Sequence, residues 1–160
     1  MDKFYDDSIR FAGEKIYFAA TEKGLFYVGK NVENLQSATH DPEKMSKYKA
    51  ELLAYLNGES INFTSPIDLS GTALQLEVFE ALKTIPYGET RTYTEIAEQI
   101  NRPKAVRAVG TAIGKNPLLV IIPCHRVIGK SGKLTGYSGG IPMKQALLTL
   151  EKKNLNQFSF

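Results

Sequence analysis

The 160-residue sequence has one cysteine, no tryptophan and only two histidines. A lone thiol rules out an internal disulfide, and so few sulfur and imidazole groups rule out a structural zinc site. One free thiol fits a reducing compartment better than a secreted one. No apolar run approaches the roughly 18 residues of a membrane-spanning helix. The stretch Met1-Asp2-Lys3-Phe4-Tyr5-Asp6-Asp7 is polar and acidic, unlike a signal peptide. These absences lead to the expectation of a cytoplasmic protein with no membrane association and no metal. What is present is ordinary for a globular chain: 42% hydrophobic and 23% charged residues, enough for a core without covalent staples. The charge is unevenly placed. Residues 1–70 carry 8 Lys/Arg against 11 Asp/Glu, whereas residues 71–160 carry 12 against 6. A basic half beside an acidic one points to a polyanion-binding module attached to something that is not one.

The first half reads as strands and one helix. Lys15 to Ala20 and Gly24 to Gly29 are rich in aromatic and β-branched residues, with a hairpin turn at Thr21-Glu22-Lys23-Gly24. Asp41 as N-cap and Pro42 in the first turn predict a helix through Met45, Tyr48, Leu52, Leu53, Tyr55 and Leu56, ended by Asn57-Gly58. Ile61-Asn62-Phe63 reads as a further short strand, and His40 as exposed. No catalytic constellation occurs here, so residues 1–70 read as a scaffold domain.

From residue 71 the pattern turns helical. Leu74, Val78, Ala81, Leu82 and Ile85 share one helical face, stopped by Pro86-Tyr87-Gly88. Thr92 and Glu95 have capping-box spacing for a short helix with Ile96, Ala97 and Ile100 inward. After a turn at Asn101-Arg102-Pro103, Pro103 is expected to open a helix through Val106, Val109 and Ile113 that ends at Gly114. Helix, short turn, helix is a DNA-binding arrangement. The other side of that second helix is small (Ala105, Ala108, Gly110, Ala112), with Arg102, Lys104, Arg107 and Lys115 for charge. Such a surface fits either a narrow groove or a close-packed neighbour. Gly129 to Gly136 reads as a glycine-rich hairpin or wing. Pro142 starts a last helix with Met143, Ala146, Leu147 and Leu150 inward, and Glu151 at the edge of that face, able to reach a buried histidine.

The single thiol lies in Ile121-Ile122-Pro123-Cys124-His125-Arg126-Val127. An apolar run precedes it and two potentially cationic side chains follow. Positive charge nearby favours a reactive thiolate, whereas a free cysteine in apolar surroundings is simply a small buried hydrophobe. Adjacency to His125 does not choose between them, because working pairs are spatial rather than sequential.

Asn116-Pro117, Ile122-Pro123-Cys124-His125-Arg126-Val127 and Tyr137-Ser138-Gly139-Gly140, with Arg107-Ala108-Val109-Gly110 upstream and Glu151 downstream, closely resemble the methylated-DNA–protein-cysteine methyltransferases, or 6-O-alkylguanine-DNA alkyltransferases. The resemblance implies an α/β (α+β) chain. Residues 1–70 would form a small ribonuclease-H-like sheet-and-helix domain, and residues 71–160 a winged helix-turn-helix domain that binds DNA and accepts the alkyl group. It implies irreversible, single-turnover transfer of a methyl group from 6-O-methylguanine, more weakly 4-O-methylthymine, in double-stranded DNA, by a monomer without cofactor. Cys124 matches the acceptor, His125 the general base acting through a water, Glu151 the carboxylate orienting it, and Asn116 the tie between cysteine turn and recognition helix. Arg107 matches the arginine that enters the duplex in place of the flipped nucleotide, and Ala105, Val106, Ala108 and Gly110 the helix face against DNA. Tyr93 matches the tyrosine that crowds the phosphate and hydrogen-bonds the guanine. Val127 and Ser138 match guanine contacts, Tyr137 a pocket wall and Lys144 a lysine at its border.

The chemistry asks for these types. A methyl group on an aryl oxygen is a poor electrophile, and a free thiol is only about 3% ionised at neutral pH. A base held by a carboxylate raises the reactive fraction. Guanine departs more easily with a donor such as Tyr93. The reacting oxygen lies inside the duplex, so the nucleotide must be extruded at a few kcal/mol, offset by an inserted side chain. Leu119 departs from the proline of many members, which bears on the width of the alkyl pocket. Zinc ligands of some relatives and the cysteine-rich module of others are absent. Two other functions compete: a non-catalytic lesion-binding relative, in which the cysteine is typically replaced, and a helix-turn-helix transcription regulator.

Overall fold

A computed structural model describes residues 3–155. The chain divides into two compact units, the first ending at Leu69 and the second beginning at Ser70.

The first unit is a four-stranded sheet with a helix on it. Strands β1 (Tyr5–Phe11), β2 (Glu14–Thr21), β3 (Gly24–Gly29) and β4 (Thr39–His40) lie in the order β3-β2-β1-β4. The first three are antiparallel, and β4 is parallel to β1. The two hairpin strands read from the sequence are β2 and β3. Strand β1 was hidden by its charges. Asp7 and Ile9 alternate onto its buried side, and Asp7 is accommodated there by the Ser8 amide at 2.8 Å and Lys49 Nζ at 3.8 Å. The β1–β2 turn, Ala12-Gly13, has positive φ at both positions (52° and 77°), the backbone that matches strand twist in a two-residue hairpin. Helix α1 (Ser46–Leu56) lies against β1 and buries Leu52, Tyr55 and Leu56, closing a core over Ile9, Ile16, Phe18, Leu25 and Val28.

Two expectations here need correction. Helix α1 starts at Ser46 rather than Pro42. Asp41 does act as a cap, but of a preceding turn: its carboxylate accepts from the Lys44 amide at 3.0 Å and its carbonyl from Met45 at 3.1 Å. Residues 61–63 form no strand. Local side-chain bonds replace the ladder: Asn62 N donates to Ser60 Oγ, and Thr64 N and Ser65 N donate to Glu51. Ile67 bridges Leu25 instead. His40 is exposed, 3.2 Å from Asp6.

The second unit is helical. Helix α2 (Ala73–Lys83) opens on a capping box of Thr72 and Gln75, and α3 (Tyr93–Gln99) on the expected one of Thr92 and Glu95. With α4 (Val106–Gly114) they pack around Val78, Phe79, Leu82, Ile96, Ala97, Val109 and Ile113. Strands β5 (Arg91–Thr92) and β6 (Val127–Ile128) pair in parallel, which ties the entry of α3 to the exit of the cysteine turn. Helix α5 (Ile141–Asn154) packs on that turn and buries Met143, Lys144, Leu147 and Glu151.

Helix α4 begins at Val106, three residues later than expected. Residues 100–105 form a longer connection with Asn101 at φ 60°, closed by Arg102 N to Ala97 O and Ala105 N to Arg102 O. The glycine-rich segment is not a β-hairpin. Lys130–Gly132 makes a 3-10 turn with Ser131 and Gly132 at positive φ, closed by Gly129 N to Lys133 O at 2.7 Å. No ladder extends from that closing bond, and residues 133–137 form no strand.

Candidate active site

The segment before the thiol is a sequence of tight turns. Asn116, buried at the end of α4, donates through Nδ2 to the Ile122 carbonyl at 2.8 Å and accepts the Leu118 amide at 2.9 Å. One side chain thus clamps both ends of residues 118–122. Within the clamp, Ile121 N donates to Leu119 O at 2.8 Å across Val120, which holds φ 74°. This is a γ-turn of the rare positive-φ kind, and a β-branched residue is strained there. A second γ-turn follows: Cys124 N donates to Ile122 O at 2.7 Å across Pro123, whose φ −79° and ψ 60° suit the commoner inverse form. Cys124, His125 and Arg126 then form a 3-10 turn, all three buried.

Cys124 is 4% exposed, and burial pushes its thiol up to about 11, against the partial pull of the Asn116 side chain and the Lys144 charge. The cationic neighbours in sequence therefore do not make a resting thiolate. Arg126 does not offset the burial, because its charge is committed elsewhere. Its Nε and Nη2 each lie 2.8 Å from Glu151, Nη1 donates to the Ile85 carbonyl at 2.7 Å, and its guanidinium lies 5.6 Å from the Tyr87 ring centroid.

Glu151, 1% exposed on α5, is the centre of this network. It meets His125 Nε2 at 2.7 Å, Arg126 in a two-pronged pair and the Gly88 amide at 3.2 Å. Burial pushes its carboxyl up, but His125 and Arg126 together outweigh burial and hold it at about 2. An ionised carboxylate only accepts, so Nε2 of His125 carries the proton and Nδ1 the lone pair. Burial also lowers the His125 pKa, more than Glu151 raises it, so the imidazole is neutral at physiological pH. A buried neutral imidazole with its tautomer set by a carboxylate is poised to accept one proton.

Lys144 is 1% exposed and donates through Nζ to the Val127 carbonyl at 2.6 Å and the Thr135 carbonyl at 3.1 Å. Burial lowers its pKa, and nearby Cys124 opposes that shift. Tyr93, half-buried at the start of α3, accepts from Thr135 Oγ1 at 2.8 Å. A Cβ added at Gly110 would sit 3.6 Å from Tyr93 Cδ1, so Gly110 faces the tyrosine. Gly139 is closely covered: an added Cβ would fall 2.7 Å from Tyr137 Cε2 and Met143 Sδ and 3.2 Å from Leu119 Cδ1. Leu119 and Tyr137 therefore both lie against Gly139. Ser138 is exposed and Tyr137 half-buried.

On α4, Arg107, Ala108 and Thr111 are exposed, while Val106 and Gly110 are half-buried, as is Ala105 just before the helix. The all-small face expected from the sequence is divided: Ala112 is buried in the core and Gly110 turns to Tyr93. Arg102 pairs with Glu77 of α2 at 2.9 Å. A cleft of about 400 Å³ beside α4 is lined by Thr72, Leu74, Gln75, Ala108, Thr111, Ala112 and Lys115, and not by the cysteine turn. Sequence reasoning assigned no role to Thr135, read Gly88 only as part of a helix stop, and read Arg126 only as positive charge beside the thiol. Arg126 stood within the quoted motif, but its partners lie elsewhere in the chain. Among the described residues, no cluster of His, Cys, Asp and Glu could hold a metal ion.

The family model for 6-O-methylguanine DNA methyltransferase, DNA binding domain, matches residues 73–153. The inducible methylated-DNA–protein-cysteine methyltransferase of Bacillus subtilis is 47% identical, over 93% of this chain and 90% of its own length. The crystal structure of the O6-methylguanine methyltransferase of Mycobacterium tuberculosis superposes with a TM-score of 0.87 at 44% identity, covering 99% of this chain and 100% of that one. The Mycobacterium tuberculosis OGT in complex with DNA superposes equally well, with a TM-score of 0.87, 45% identity and coverage of 97% and 99%. Likeness of this extent, running through the cysteine turn and along nearly the whole chain, makes this protein a member of the methylated-DNA–protein-cysteine methyltransferase family.

Proposed function

We propose that this protein repairs DNA by taking a methyl group from 6-O-methylguanine, and more weakly from 4-O-methylthymine, onto Sγ of Cys124, once per molecule. The observation that carries this reading is the buried Cys124-His125 turn with His125 hydrogen-bonded to Glu151 at 2.7 Å, in a unit that also holds a helix-turn-helix. The thiol rests protonated, because burial sets its pKa at about 11. At pH 7 that leaves about one molecule in ten thousand as thiolate. His125, neutral and fixed in tautomer, takes the proton through Nδ1 by way of a water, and Glu151 stabilises the resulting imidazolium. Asn116 holds the turn so that the sulfur keeps its place, and Lys144 supplies positive charge near the forming thiolate.

The target nucleotide leaves the stack to reach a sulfur this deep, at a few kcal/mol. Arg107, exposed on α4, enters the duplex in its place, while the Ala105, Val106, Ala108 and Gly110 side of the helix approaches the groove. Tyr137 walls the base, and Ser138 donates near the modified oxygen. The Val127 carbonyl already accepts from Lys144, so the guanine meets its second lone pair. Tyr93 gives a proton or a hydrogen bond to the departing purine. Phosphate contacts by the basic second unit give affinity without sequence preference. The protein acts in the cytoplasm as a monomer, and nucleophile and base both come from the chain, so the step needs no cofactor.

Incubation with methylated duplex, followed by peptide mapping, tests this. The Cys124 peptide should gain one methyl group in stoichiometric amount. Tight lesion binding without that adduct, by folded protein with an intact thiol, would favour a non-catalytic binder. A large preference for one unmodified duplex would favour a regulator.

A further inference from the structure

A phenol helps the departing purine only if its proton points toward it, and a phenolic O–H can rotate. Two contacts hold Tyr93. Its ring faces Gly110 of α4, where an added Cβ would lie 3.6 Å away, and its oxygen accepts from Thr135 Oγ1 at 2.8 Å. Thr135 is itself anchored. Its carbonyl accepts from Lys144 Nζ at 3.1 Å, and the same ammonium donates to the Val127 carbonyl at 2.6 Å, directly after the cysteine turn. Lys144 thus joins the backbone leaving Cys124 to the loop that carries the hydroxyl.

With a purine in place, the proton order has one consistent form. A ring nitrogen with a lone pair can only accept, so Tyr93 donates to it, and the tyrosine oxygen then accepts from Thr135. Chained hydrogen bonds polarise one another, so the threonine makes the tyrosine the better donor.

We infer that Thr135 is a positioning residue for the transfer: its hydroxyl aims the Tyr93 proton at the departing base, and its carbonyl, held by Lys144, keeps that aim in register with the cysteine turn. This rests on the alkyl-transfer reading above. The S–C bond forms as the methyl C–O bond breaks, and the electron pair of the broken bond stays on guanine. The thiol proton passes to His125 and on to solvent. Guanine regains a proton from Tyr93, which is reprotonated from solvent, so protons balance.

The test is single-turnover methyl transfer, with excess protein on a methylated duplex, for Thr135→Val, Thr135→Ser, Tyr93→Phe and the Thr135→Val/Tyr93→Phe pair. Thr135→Val should slow transfer about 3- to 10-fold, the worth of one neutral hydrogen bond, while affinity for the duplex holds. Thr135→Ser should recover most of the rate. Tyr93→Phe should be slower still, and adding Thr135→Val to it should change nothing further. Thr135→Ala serves in place of valine if the latter fails to fold. A full Thr135→Val defect on the Tyr93→Phe background, a serine variant as slow as valine, or a valine variant at wild-type rate would each overturn the inference. No transfer by the wild-type protein would instead remove the function on which it rests.

Discussion

Replacing Glu151 with glutamine removes one negative charge and barely alters the side-chain shape. The carboxylate accepts from His125 Nε2 at 2.7 Å, from Arg126 Nε and Nη2 at 2.8 Å each, and from the Gly88 amide at 3.2 Å. An amide accepts at its oxygen alone. Whichever way it turns, its NH2 confronts a donor, either His125 or Arg126. The guanidinium, 8% exposed, then keeps its charge without the compensating anion. Removing one partner of a buried pair costs about 3–5 kcal/mol, against a total stability of about 5–15 kcal/mol for a typical domain. Glu151→Gln should therefore fold, with a urea midpoint lower by roughly 2 M for a slope near 2 kcal/mol per molar. His125 also loses the carboxylate that stabilises its protonated form, and the transfer rate should fall about 10²- to 10⁴-fold. Urea titration followed by circular dichroism, and rapid-quench transfer on the same preparation, separate the two effects. A wild-type midpoint would refute the structural role of the network. A lowered midpoint with an unchanged rate would refute the orienting role of Glu151.

Stability should have a plateau in pH that falls on both sides. Glu151 is held below its ordinary value, at about 2, so its contribution is complete above about pH 4.5 and is lost as pH falls toward 2. His125 is also lowered, so its burial as the neutral form begins to cost stability as pH drops below about 6.5. Cys124 is raised to about 11, so its contribution is complete below about pH 9 and lost as pH climbs to 11; urea midpoints of Cys124→Ala should lack that part of the alkaline limb, and an identical limb would contradict it. Arg107→Ala, at an exposed position of α4, should change stability by under about 0.5 kcal/mol while strongly weakening lesion capture in a gel-shift titration; unfolding would make Arg107 structural. Gly139→Ala puts a Cβ 2.7 Å from Tyr137 Cε2 and Met143 Sδ, so it should cost about 1–3 kcal/mol and slow transfer by displacing Tyr137, both measured on one sample.

The parts of the fold legible in the sequence were those set by short-range chemistry. Aromatic and β-branched runs on either side of a turn marked β2 and β3, and Thr92 with Glu95 marked the start of α3, where both reciprocal bonds form. Strand β1 was not legible, because Asp6, Asp7 and Arg10 mask its alternation, and the buried Asp7 is satisfied by the Ser8 amide and by Lys49 from α1. Pro103 misplaced the start of α4, since it serves a turn that the Arg102 and Ala105 amides close. At the site, the motif located Cys124, His125, Asn116 and Glu151. It could not reveal that Arg126 spends its charge on a carboxylate 25 residues away, or that Thr135 reaches Tyr93 across 42. The thiol's protonation followed the same logic: neighbours in sequence promised positive charge, and three-dimensional burial decided the outcome.

A molecule that acts once is judged by how well it keeps. Oxidants and stray electrophiles consume thiolates far more readily than thiols. The burial that holds Cys124 near a pKa of 11 is therefore a form of storage, keeping the sulfur inert between synthesis and use. Shelf life and speed are assigned to different parts: burial keeps the thiol protonated, and the histidine beside it, oriented by Glu151, is the group placed to take its proton.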